Sequence, residues 1–219
     1  MFRKYLAVFA ILISFGGIAL SARIIELPEP NKTSKYSLEE AIYRRRSTRS
    51  FYQKELSMEQ ISQILWAAQG ITDQEFGFRA APSAGSLYPL HIYFVNKEGV
   101  FRYIPDGHKM VQVLEGDVRA SLTRAALGQT DISEAPTDII IAANFAITQA
   151  KYGARAFRYV CMEIGHVAEN IALQSVALGL ASVTIGAFWD DVIKKDLNLP
   201  DNEDPLYIIP IGYERYEKQ

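Results

Sequence analysis

Helix and strand periods alternate along most of the chain. Ser37, followed three residues later by Glu40, has the form of a capping box. Leu38, Ala41 and Ile42 follow at helical spacing and predict a helix over 38–46. Ser57 opens a second helix, 58–69, with Ile61, Ile64, Leu65 and Ala68 on one face. Residues 80–89 are a loop of small side chains. The runs 91–96 and 100–104 alternate like strands and join at Lys97-Glu98-Gly99 as a hairpin. A helix over 117–127, a fully apolar strand over 138–143 and a long helix over 154–178 come next. The long helix has a stripe of Val160, Ile164, Val167, Ala168, Ile171 and Ser175. A strand at 180–185, a short helix at 190–197 and a strand at 206–211 close the series. Helices around a mixed or mostly antiparallel sheet give an α+β fold.

Between Asn170 and Trp189 there is no charged residue. Gln174, Ser175, Gly179, Ser182, Thr184 and Gly186 interrupt the run, so it reads as a buried helix and a buried strand, not a membrane span. A helix apolar on most sides in a chain this small also points to a partner subunit.

The N-terminus has a different pattern. Arg3-Lys4 precede an apolar run, Tyr5 to Leu20, and small residues at 19–22. This is the organisation of a signal peptide, or of an uncleaved N-terminal membrane anchor, over residues 1–22. The protein is then expected to be exported or membrane-anchored. Residues 23–36, with Pro28 and Pro30, read as an extended linker, and 37–219 as one domain.

Composition adds mainly exclusions. Of 219 residues, 49% are hydrophobic and 22% charged, which is ordinary for a globular domain. With 23 basic and 25 acidic residues there is no basic excess for nucleic-acid binding. Cys161 is the only cysteine, so no internal disulfide forms, and its position predicts buried packing. His91, His108 and His166 are too scattered for a metal site, and His166 lies near the stripe of the long helix as a core or interface residue.

Against this neutral background, "RRRSTRSF" at 44–51 stands out. Continuing the first helix by three or four residues from Ala41 and Ile42 puts Arg45 on the core-facing stripe, with Arg44 and Arg46 about 100° to either side. Arg44 suits a helix C-terminus, where the macrodipole favours cations, and the same account covers Arg46. An inward Arg45 needs a partner, because an unpaired buried charge is costly. That partner is either a carboxylate of the chain or a ligand anion such as a phosphate, which takes bidentate arginine and hydroxyls together. Ser47 and Arg49 follow the turn and can converge on the same spot. A second loop, Pro82-Ser83-Ala84-Gly85-Ser86, has side chains small enough for its backbone to approach a flat ligand.

With these two segments, "EIGHVAENIALQSVALGLASVTIGAF" and "PLYIIPIGY" complete a set of four in order. Over about 37–213 the chain resembles the nitroreductase superfamily of FMN-dependent oxidoreductases, and most closely its thiazoline/oxazoline dehydrogenase branch. The resemblance implies a three-layer fold with a mixed, mostly antiparallel central sheet. It implies an intertwined homodimer with FMN at the interface and the long helix in the dimer core. It puts Arg45, Arg46, Ser47 and Arg49 at the FMN phosphate, and Pro82, Ser83, Ala84, Gly85 and Ser86 along the isoalloxazine ring. It sets the backbone around Ile185 and Gly186 at the N5 edge. The chain departs from many relatives at two places. Only Arg215 and Lys218 follow the last strand where a basic pair often completes the phosphate clamp, and Ser86 stands where many classical members have Asn.

The resemblance also implies a reaction class: hydride exchange at flavin N5 in a ping-pong cycle, with the protein supplying placement and electrostatics. In the azoline branch a Lys-Tyr pair helps remove a substrate proton, and Lys151-Tyr152 occupies that position. A lysine acts as base when burial or a neighbouring cation favours its neutral form, and Arg155 and Arg158, at i+4 and i+7, are the candidate cations. The alternatives are a reductase of nitroaromatics, quinones or halogenated phenols, and a non-catalytic flavin- or small-molecule-binding protein on the same scaffold.

Overall fold

A computed structural model describes residues 23–215. The signal-peptide or anchor reading of 1–22 and Lys218 lie outside the described residues. In chain order the strands are β1 (Ile24–Glu26), β2 (Phe51–Tyr52), β3 (Ile71–Asp73), β4 (Phe78–Arg79), β5 (Leu90–Asn96), β6 (Gly99–Ile104), β7 (Lys109–Glu115), β8 (Thr137–Ala143), β9 (Ala181–Ser182) and β10 (Asp204–Glu214). The helices are α1 (Leu38–Arg44), α2 (Met58–Gln69), α3 (Arg119–Ala125), α4 (Asp131–Glu134), α5 (Phe145–Tyr152), α6 (Ala156–Ala177) and α7 (Asp190–Asp196).

The main sheet runs β1-β7-β6-β5-β8-β10-β2, with β9 also on β10, and every pairing of these strands is antiparallel. Its two faces bury different side chains, as the two-residue period of a strand requires. Along β8, Ile139, Ile141 and Ala143 pack into one core with Ile64 and Leu65 of α2 and Val160, Val167 and Ile171 of α6. Ile140 and Ala142 pack into a second core with Leu122 of α3, Ile132 of α4 and Ile193 of α7. Helices therefore cover both faces, giving the α+β three-layer arrangement expected. Because β8 is buried on both sides, its residues from Ile139 to Ala143 are all apolar rather than alternating.

Helix ends follow local chemistry. Ser57 and Gln60 form a reciprocal capping box on α2. At α1 only half of the expected box forms: Ser37 Oγ accepts from the Glu40 backbone N–H, while the Glu40 carboxylate pairs instead with Arg44 one turn on. α1 also stops at Arg44, short of 46, and buries only Ala41. Leu38 and Ile42, expected on the core stripe, are 62% and 55% exposed in the single chain.

Other differences have simple causes. The stretch expected as a linker contributes β1, an edge strand held on β7. The strand expected over 180–185 is reduced to β9 plus a single bridge from Ile185 to Ile208. Lys151 and Tyr152 end a helix, α5, rather than begin one, and Gly153 breaks it with φ 53°. The i+4 and i+7 geometry that would set Arg155 and Arg158 against Lys151 is therefore not formed. Cys161 and His166, expected buried, are exposed on α6 in the single chain. Among the described residues no helix is long and apolar enough to cross a membrane.

Candidate active site

The chain leaves α1 at Arg45, whose φ of −53° and ψ of 123° are no longer helical. It then lies against β9. Ser47 bridges Ser182 in parallel register, and the Thr48 N–H donates to the Ser182 carbonyl at 3.1 Å. This bridge brings two segments far apart in sequence to one cavity of about 180 Å³. Arg45, Ser47, Gly165, Glu169, Thr184 and Tyr207 are among its walls.

The expectation for Arg45 is corrected here. The helix ends before residue 45, so the helical stripe does not carry that side chain into the core. Its side chain is 38% exposed and faces the cavity. Nε lies 3.6 Å from Oε1 of Glu169, a carboxylate more exposed than the arginine itself. That distance is too long for a good charge-assisted hydrogen bond, and a pair this exposed is weak. Guanidinium donors are thus left for an anion in the cavity.

The other arginines divide. Arg44 pairs with Glu40 and stacks over Tyr36. Arg46 turns back and donates to the carbonyls of Tyr43 and Arg45, capping α1, and lines a larger neighbouring cavity instead of the one beside Arg45. Arg49 is exposed and lines neither. Arg215 is engaged by Glu134 at 3.0 Å and by Ser50 Oγ at 3.0 Å.

Past β9, Ile185 is buried, and both its N–H and its carbonyl are paired with Ile208. It anchors the segment, while its neighbours Thr184 and Gly186 are exposed.

The second loop forms a tight turn. Ser86 N–H donates to the Ser83 carbonyl, and Tyr88 N–H donates to Ser83 Oγ at 2.9 Å. Gly85, Ser86 and Tyr88 all have positive φ, between 50° and 63°. A Cβ on Gly85 would stand 2.6 Å from Tyr152 Oη and 2.7 Å from Lys151 Nζ, so a side chain there would push these two groups aside, and the positive φ favours glycine as well. The structure therefore brings Lys151 and Tyr152 directly against the Pro82–Ser86 loop. No residue of that loop lines the cavity beside Arg45.

Beneath the loop lies a group that the sequence reading did not single out. Glu163 of α6 is 2% exposed, and its Oε1 has no partner. Burial raises its pKa to about 7, with Ser83, Gln69 and Arg79 pulling the other way. Its place between Val160 and Val167 in the heptad-like stripe was the available signal. A second buried carboxylate, Glu203, meets Tyr93 Oη at 2.7 Å, His91 Nδ1 at 2.6 Å and Arg102 at 3.1 Å. Those partners hold its pKa low despite burial. Fully satisfied in this way, Glu203 ties the α7–β10 connection to β5 and β6.

Residues 42–213 match the Nitroreductase family. A protein of Methanocaldococcus jannaschii, provisionally named a nitroreductase, is 44% identical over 195 residues, covering 86% of this chain and 95% of its own. The crystal structure of a Ralstonia eutropha protein, also provisionally named a nitroreductase, superposes with a TM-score of 0.82 at 30% identity over 89% of this chain and 91% of that one. A chain of the Escherichia coli microcin synthetase complex, solved with a truncated precursor bound, superposes with a TM-score of 0.69 over 98% of this chain and 85% of that one. At 19% identity that likeness is one of fold.

Proposed function

The chain belongs to the nitroreductase family, and we propose that it is an FMN-dependent oxidoreductase that works as a homodimer. The observation that carries this reading is the Ser47–Ser182 bridge, which sets Arg45, Ser47 and Thr184 around one cavity.

The residues present suit the cofactor. Arg45 offers donors that Glu169 engages only loosely, and the Ser47 and Thr184 hydroxyls border the same space, which is the donor set a phosphate monoester takes. Exposed Gly186 lets a planar ring approach the backbone without a side chain in between. Arg46 and Arg49, which resemble the family's phosphate-binding positions, sit outside this cavity, and Arg46 is already spent on capping carbonyls. Arg45 and Ser47 therefore bear most of the phosphate contact. The Pro82–Ser86 loop, on the resemblance, covers the ring. Since it does not line the Arg45 cavity of its own chain, a second copy supplies it.

Bound flavin would supply the redox chemistry, exchanging hydride with a substrate at N5. The chain's own residues do the rest. Gly85 admits Lys151 Nζ and Tyr152 Oη to the loop surface, where both can accept or donate a proton on a substrate held there. That placement favours azoline-type dehydrogenation, in which a proton leaves the substrate as hydride departs. The second reading, a reductase of nitroaromatics, quinones or halogenated phenols, is favoured by the names its relatives carry.

An absorbance spectrum of the purified protein tests the core of the proposal. We expect a yellow protein. Arg45→Ala should bind FMN about 10- to 100-fold more weakly, the worth of a charge-assisted contact, and should bind riboflavin as the parent does. A protein that neither carries nor takes up FMN sinks the reading. Anaerobic bleaching by NAD(P)H selects the reductase. Bleaching by a thiazoline- or oxazoline-bearing compound, abolished in Lys151→Met, selects the dehydrogenase.

A further inference from the structure

We propose that Glu163 is a positioning residue that seals the Pro82–Tyr88 loop from below and sets how firmly the loop is held over the cofactor. The role in cofactor binding rests on the FMN reading above; the hold on the loop does not.

The geometry is a continuous polar layer under the loop. Ser83 Oγ accepts from the Tyr88 N–H at 2.9 Å, and Tyr88 Oη accepts from the Arg79 N–H at 3.1 Å. The Arg79 guanidinium lies 4.5 Å over the Tyr88 ring and donates to Gln69 Oε1 at 3.3 Å. Gln69 Nε2 and Glu163 Oε1 are both buried without a well-formed partner. The layer thus joins α2, β4, the loop and α6, and Glu163 is the one carboxyl in it. On the loop's other side, Gly85 touches Lys151 and Tyr152. The element bearing the proposed proton-handling pair and the element bearing Glu163 meet at this loop.

Linkage fixes the direction. Burial raises the Glu163 pKa to about 7, so the sealed state binds a proton that a hydrated carboxyl would release. A raised carboxyl pKa contributes stability that is complete at low pH and is lost as pH rises through the folded value. Opening the loop hydrates Glu163, so a rise in pH from the ordinary carboxyl range up to about 7 progressively favours the opened loop, and the effect levels off above that. The nearby polar groups of Ser83 and Gln69 and the charge of Arg79 offset this in part.

The other titratable groups around the layer are Arg79, Tyr88, Tyr103, His108 and, across the adjoining cavity, His91, so the comparison with Glu163→Gln isolates the carboxyl. Arg79 stays a cation, and Tyr88 and Tyr103 are phenols. His108, bonded to Tyr103 Oη at 2.8 Å, has its pKa lowered from the usual imidazole range by burial. Tyr159, one turn before Glu163, packs edge-on against Tyr152.

The test uses the full chain, without and with FMN. Amide hydrogen exchange of peptides covering 80–90, corrected for intrinsic rates, is compared at pH 6.0 and pH 8.5. The parent should lose about tenfold in protection across that interval, which is what complete hydration of a carboxyl with a sealed value of about 7 gives between these two pH values. Glu163→Gln, neutral at both pH values, should stay protected, and Glu163→Asp should restore a pH response. In FMN fluorescence titrations the affinity of the parent should fall over the same interval, and that of Glu163→Gln should not. Should Glu163→Gln fail to fold, Ser83→Ala removes a contact that favours ionisation and should move the midpoint upward. An unmoved midpoint, a parent with no pH response, or an equal response in Glu163→Gln overturns the proposal. A parent whose loop responds but which takes up no FMN overturns the flavin reading instead, with the hold on the loop intact.

Discussion

At the scale of single residues, the carboxylates divide by whether their burial is compensated. Asp138 begins the fully buried part of β8, neither of its oxygens has a partner, and burial pushes its pKa well above the usual carboxylate range, against the opposing charge of Arg119. The folded state holds a proton here that the unfolded chain gives up near pH 4. The stabilising contribution is therefore complete below about pH 4 and disappears as pH rises through the folded value. Asp138→Asn fixes the neutral form. Between pH 5 and pH 8 the parent should lose about 2 kcal/mol relative to this variant, the order of an uncompensated buried polar group. Urea unfolding midpoints at the two pH values check it, and parallel trends in the two proteins would rule it out.

The same residues mark how far sequence reading reaches. "RRRSTRSF" hints that Arg45 faces an anion-sized space, but the helical stripe that suggests it ends one residue earlier, at Arg44. What aims it is the tertiary bridge from Ser47 to Ser182, which no local pattern encodes. Glu163 is legible in the sequence by its spacing alone. A carboxylate three residues after Val160 and four before Val167 must point into the core.

At the scale of elements, caps and burial on both faces decide which segments the sequence reveals. α2 begins and ends where its pattern says because Ser57 and Gln60 satisfy each other's backbone donors. α1 begins where expected, at Leu38, but with half a box because Glu40 is drawn away to Arg44, and it ends two residues early, where Arg45 leaves the helical conformation. Ser57→Ala should therefore cost about 1 kcal/mol of stability, and Ser37→Ala about half of that. Denaturant midpoints of the two variants check the ranking, and equal losses would contradict the structural difference between the caps. β7 escaped the sequence reading because only Met110 of its residues is fully buried, leaving no alternation to see; it is fixed by β1 and β6 on either side. α5 escaped because only Thr148 is buried along it, and its start depends on the Asn144 cap.

At the scale of the molecule, one chain is covered on both sheet faces yet leaves apolar surface on α1 and α6. Phe157 and Met162 are 68% and 54% exposed, and Leu38 and Ile42 on α1 are exposed to a similar degree. Exposed apolar residues of this size on two helices that pack together suit an isologous contact with a second copy. The proposed site draws on that copy as well, since no residue of the Pro82–Ser86 loop lines the Arg45 cavity within one chain. Assembly and cofactor retention should then fail together. Met162→Glu places a charge in the middle of this surface, where burying it unpaired is costly. We expect light scattering to give a monomer for the variant and a dimer for the parent. The variant should retain its circular dichroism spectrum and lose its flavin on gel filtration. If the variant is monomeric and still yellow, each chain holds its cofactor alone, and the separation of the two segments must be bridged by the flavin itself rather than by a partner.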